Sequence, residues 1–148
     1  MSAISSQTHA ISLDPFTGEQ IGAYPFDNDA ALEAALQRAK VGYAHWRQVS
    51  LAERSEYLLA LGDALERQAE TFAQMISREI GKPTTQARGE VAKCVGLRRW
   101  YAEHGPATLA PEPTQVAKAR TEYRPPGPSL AVMPWNFPIR QEARGHVP

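Results

Sequence analysis

Asn136 is the lone side-chain amide between two prolines, in a run reading Leu130-Ala131-Val132-Met133-Pro134-Trp135-Asn136-Phe137-Pro138. Pro134 stops any strand before it and Pro138 is suited to a first helical turn, so the amide is presented from a loop. Such a group can donate a hydrogen bond to a developing negative charge. It can equally close an Asx-turn on its own backbone, the commoner task of asparagine. The only thiol, Cys94, would need to be a thiolate to act as a nucleophile. It falls on a stripe with Ala87, Val91 and Val95, where cysteine behaves as a small buried hydrophobe with a raised pKa. His9, His45, His104 and His146 show no His-x-x-x-His or Cys-x-x-Cys spacing, so no metal site is expected. No Gly-x-Gly-x-x-Gly or P-loop pattern is present.

The elements that must position these groups follow from periodicity and caps. Asp14-Pro15 and Thr17-Gly18 separate two short β-forming stretches, Ile11-Ser12-Leu13 and Gln20 to Tyr24, which predicts a hairpin or a pair of edge strands. Asp27, Asn28 and Asp29 can cap a helix carrying Leu32, Leu36, Ala39, Tyr43 and Trp46 on one face. Ser50-Leu51-Ala52-Glu53 matches a capping box and opens a second helix. Its apolar stripe, Leu58, Leu61, Leu65, Phe72, Met75 and Ile76, runs to Gly81-Lys82-Pro83. Thr84 or Thr85 can cap a third, with Ala87, Val91, Cys94, Val95 and Tyr101 inward and Gly105-Pro106 as its end. Pro111 and Pro113 mark an extended connector, residues 121–124 a strand, and residues 130–133 a strand buried on both faces. In the last segment Arg140, Glu142, Arg144 and His146 leave only Ile139, Ala143 and Val147 as an apolar line.

Composition excludes several classes. The 148 residues are 43% apolar, with sixteen basic residues against sixteen acidic, so no net field draws nucleic acid or anionic lipid. The pair Arg98-Arg99 reads as a solvated helix face. No stretch approaches the roughly 20 apolar residues of a membrane span, and no signal-peptide pattern opens the chain. A cytoplasmic location is expected, consistent with a single cysteine.

Three ordered stretches carry a resemblance. Ser77-Arg78-Glu79-Ile80-Gly81-Lys82-Pro83, Trp100-Tyr101-Ala102-Glu103 and residues 130–138 resemble the Glu-x-Gly-Lys-Pro turn, the aromatic helix end and the Pro-Trp-Asn-Phe-Pro signature of NAD(P)-dependent aldehyde dehydrogenases. Residues 87–93 and 100–106 look most like bacterial succinate-semialdehyde dehydrogenases. The resemblance implies an α/β fold: a helical lead-in followed by the first strand of a Rossmann-like domain. It divides the chain into a tail with short strands (1–26), a three-helix segment (27–106), a connector with an oligomerisation-type strand (107–128) and the start of a dinucleotide-binding domain (129–148). It implies that Asn136 donates to the oxyanion, that Met133, Pro134, Trp135 and Asn136 line the nicotinamide ribose of NAD or NADP, and that Arg144, eight residues past Asn136, helps to hold a substrate carboxylate. A solvated helix charge is the competing reading of Arg144. Arg140, Glu142 and His146 depart from the family pattern.

In that family the nucleophilic cysteine follows the asparagine by well over a hundred residues, whereas Cys94 precedes it, so Cys94 is rejected as the nucleophile. The general-base glutamate and the glycine turn at the cofactor phosphates also fall past residue 148. The expectation is therefore an N-terminal piece of an enzyme oxidising succinate semialdehyde to its carboxylate. By itself it should be inactive and unable to hold the nucleotide. Self-association or docking on full-length relatives is the expected partnership; a decayed gene product or a non-catalytic helical interaction module are the alternatives.

Overall fold

The computed structural model describes residues 8–145, and within them the mixed α/β class is borne out. An antiparallel hairpin comes first: β1 (His9–Leu13) pairs with β2 (Gln20–Pro25), Ile11 opposite Ala23, with a bulge between Ser12 and Leu13. Its turn is made locally. The Asp14 carboxylate accepts from Phe16 N at 2.8 Å, and Gly18 takes the positive φ of 74° that a side chain would resist.

Four helices follow. α1 (Asp29–Trp46) is capped by Asn28, whose side chain accepts from Ala31 N at 2.8 Å, and α2 (Leu51–Arg67) by Ser50, which accepts from Glu53 N at 3.2 Å. Both starts match expectation. The single long second helix does not: the helix is interrupted at Gln68, whose φ of −106° and ψ of 14° leave the helical range, and α3 (Ala69–Ile80) begins after it. The break lets Gly62 and Leu65 of α2, and Ala73 and Ile76 of α3, be buried separately. Leu61 and Met75 of the predicted stripe are left exposed. α4 (Thr84–Thr108) is the central element, packing against α2, α3 and the last helix, α5 (Pro138–Gly145). Its N-cap is Pro83, with no side-chain capping bond, so neither Thr84 nor Thr85 plays that part. Pro106 lies inside α4, not beyond it. A proline so near the end removes one donor from the last turn, and Leu109 N still reaches Gly105 O at 3.0 Å.

The core lies along α4. Ala87, Val91, Cys94 and Val95 are buried as expected, joined by Leu65, Ala73, Ile76 and, from α5, Ala143. Phe72 and Ile139 touch both halves of this core. α1 is different: it buries none of its residues, and Leu32, Leu36 and Trp46 are exposed where an inward face was expected. Arg98 is also corrected: it is 8% exposed, between α2 and α4, while only its neighbour Arg99 is solvated.

A second small sheet pairs β3 (Glu112–Pro113) with β4 (Arg120–Thr121), earlier and shorter than the expected strand at 121–124. Residues 130–133 form no strand: Leu130 is 92% and Val132 84% exposed. A buried strand needs neighbours to accept its backbone bonds, and no strand among the described residues lies beside it. His146 and Val147 lie outside the described residues.

Candidate functional site

The site is a loop held by a helix it does not belong to. Gly81 ends α3 in the left-handed conformation, φ 68°, its N–H returning to Ser77 O at 3.0 Å. This turn sends Lys82 inward. Its ammonium pairs with Glu90, a buried carboxylate on α4 whose side chain is 2% exposed. It also donates to Asn136 O at 2.9 Å and stands 4.1 Å from the centroid of the Phe137 ring. The other oxygen of Glu90 accepts from Arg140 N, 3.2 Å away in the first turn of α5. One buried ion pair thus ties the end of α3, the face of α4 and both sides of residues 136–140. Such a pair offsets its own desolvation only when every donor and acceptor is used, and here Lys82 and Glu90 each have a second partner.

This clamp was not read from the sequence. A signal was present: Glu90 stands in register with Ala87, Val91 and Cys94, and a carboxylate on an apolar stripe requires a buried cation.

Asn136 is exposed, and its amide makes no hydrogen bond with another described residue, so the Asx-turn allowed by the residues is not formed. The backbone is fixed and the side chain is open. Met133 is half-buried, while Pro134, Asn136 and Trp135, the last 75% exposed, face outward. Val132, just before them in the chain, is bare as well. Arg144 lies on α5, exposed and eight residues from Asn136. No hydrogen bond or ion pair among the described residues joins the two.

Cys94 is 1% exposed, and burial, then the nearby Glu90 charge, push its thiol above the usual range. That is the opposite of an activated nucleophile. Among the described residues no three His, Cys, Asp or Glu side chains gather to hold a metal, and no helix is long and apolar enough to cross a membrane.

A Gly-Lys-Pro turn clamping a Pro-Trp-Asn-Phe-Pro loop defines the class. Residues 3–148 match the aldehyde dehydrogenase family, and the chain belongs to that family. It is 52% identical, over 98% of its length, to an Escherichia coli K12 succinate semialdehyde dehydrogenase named for NAD(P)+, of which it spans 32%. Among solved structures it resembles the succinate-semialdehyde dehydrogenase of Burkholderia pseudomallei, with a TM-score of 0.82 and 32% identity over 97% of this chain and 30% of that one. It also resembles the Streptococcus pyogenes succinic semialdehyde dehydrogenase in complex with NADP+, with a TM-score of 0.81 and 30% identity over 91% of this chain and 30% of that one. The chain therefore spans about a third of the length of the curated relatives it matches.

Proposed function

We propose that these residues serve as the N-terminal part of an enzyme that oxidises succinate semialdehyde to succinate with NAD or NADP. The observation that carries this reading is the 52% identity to the Escherichia coli enzyme over nearly the whole chain. In it, Asn136 donates its side-chain amide to the oxygen of the tetrahedral intermediate. The role suits an amide that bonds no other described residue and whose backbone carbonyl is pinned by Lys82. Preorganised donors of this kind lower barriers because they need not reorient as charge develops. Arg144 would meet the substrate carboxylate through its planar fork, and residues 133–136 would contribute one wall of the nucleotide site. By themselves the 148 residues should not oxidise aldehyde, since their only thiol is buried and protonated.

The test is a chimera in which the remainder of the Escherichia coli relative follows residue 148. It should oxidise succinate semialdehyde. Asn136→Ala should lower kcat by roughly 10² to 10³ with little change in KM, as expected for an interaction made mainly in the transition state. Arg144→Met should raise KM for succinate semialdehyde more than for an uncharged aldehyde. An active chimera indifferent to Asn136→Ala would remove the assigned role.

One observation favours a second reading, a non-catalytic helical docking module: α1 buries none of its residues and exposes Leu32, Leu36 and Val41. An inactive chimera, together with capture of a full-length relative that is lost in Leu36→Glu, would support it.

A further inference from the structure

The buried pair of Lys82 and Glu90 is a charged group that the proposed oxidation leaves without a part in catalysis. Its side chains are 12% and 2% exposed, and charges this deep are costly unless fully bonded, so what they bond to is informative. Their further contacts converge on the segment that carries Asn136. Lys82 Nζ donates to Asn136 O at 2.9 Å, and the Phe137 ring is met by Lys82, 4.1 Å from its centroid, and by Arg140, 5.3 Å from it. Glu90 accepts from Arg140 N at 3.2 Å. α5 has a separate anchorage: Ile139 packs against both halves of the core and Ala143 is fully buried. The apolar contacts dock α5. What the ion pair adds is a fixed peptide plane between Asn136 and Phe137, and that plane contains the Asn136 Cα, the point from which its side chain leaves the backbone.

We propose that Lys82 and Glu90 are positioning residues for the oxyanion donor: they touch neither substrate nor cofactor, and they act on the rate by setting where the Asn136 amide stands. The inference rests on the role given to Asn136 above. A donor oriented in advance loses its advantage when it is displaced, and a misplacement of about 1 Å can cost about 10²-fold in rate. The variant that isolates this role is Lys82→Met/Glu90→Leu, which removes both charges together and so strands neither in the interior. In the chimera with the remainder of the Escherichia coli relative, it should lower kcat by about 10- to 10²-fold with little change in KM. On an Asn136→Ala background the same two substitutions should lower kcat by less than about twofold, because the donor they position is already gone. Equal losses on both backgrounds, a loss mainly in KM, or an unchanged kcat would overturn the proposal while leaving Asn136 as the donor. A chimera that is active and indifferent to Asn136→Ala removes instead the reading of Asn136, and this one with it.

A second measurement needs no turnover. In the 148-residue chain the NMR order parameter of the Phe137 N–H, which shares the pinned peptide plane, should fall from about 0.85 to below about 0.6 in Lys82→Met/Glu90→Leu. Those of Gln141 and Ala143 on α5 should stay near about 0.85. An unchanged value at Phe137 would overturn the proposal whether or not the chimera turns over substrate. So would a loss of order along all of α5, because the pair would then be a support of the fold and not of the donor.

Discussion

Lys82 Nζ donates to Asn136 O across 54 residues of sequence, at 2.9 Å, while pairing with the buried Glu90. The loop is thus held through its backbone, which leaves the Asn136 amide free to face outward. Lys82→Met should destabilise the fold by about 3–5 kcal/mol, since it strands the Glu90 charge inside the protein. The double variant Lys82→Met/Glu90→Leu should recover much of that loss in urea melts. It should not restore the loop, and amide hydrogen exchange around residues 135–137 should stay fast. Restored protection in the double variant would show that the loop holds itself.

Gly81 joins two reasons for being glycine. Its φ is 68°, and a Cβ there would lie 3.1 Å from Pro15 Cγ in the hairpin turn. Gly81→Ala should cost about 1–2 kcal/mol from left-handed strain with the added contact. Pro15→Ala in the same chain should return only the contact share, which a double-mutant cycle by denaturant melts would measure.

Cys94 should ignore thiol reagents in the native chain. Its rate of modification should follow urea-induced opening of the core, rather than the pH dependence of a surface thiolate, because burial holds the thiol protonated. Rapid labelling at neutral pH without denaturant would contradict this placement.

Acid should weaken the α3–α4 contact in a definite window. Glu70 accepts both nitrogens of the Arg88 fork at 2.8 Å and a further bond from Gln74, which lowers its pKa from 4.5 to about 2. A depressed carboxylate pKa means that the pair's contribution is complete above about 4.5 and is lost as pH falls toward about 2. Melting temperature should therefore drop across that interval, and Glu70→Gln should flatten the drop. Both side chains are about half exposed, so added salt should shrink the difference between the two proteins.

Local chemistry determined much of this protein from its sequence. Asn28 and Ser50 cap helices because their side chains reach a backbone N–H three residues on, and Asp14 and Gly18 close the hairpin turn within five residues. The inward face of α4 at Ala87, Val91, Cys94 and Val95 follows from its spacing, and the ordered motifs carry the family. What the sequence left undecided depended on partners distant in the chain. An unbroken apolar stripe could not reveal the break at Gln68, because α2 and α3 are divided by how each meets α4. The apolar run at 130–133 reads as a strand, yet strand formation requires a neighbour's backbone, and none of the described residues supplies one. Arg98 and Arg99 are adjacent and alike as letters. Both come near Gly62 of α2, yet Arg98 is buried, while Arg99 reaches the carboxylates of Asp63 and Glu66. The Lys82–Glu90–Asn136 contact was decided in the same way: burial in the tertiary structure turns a turn lysine and a helix glutamate into the clamp that positions the loop.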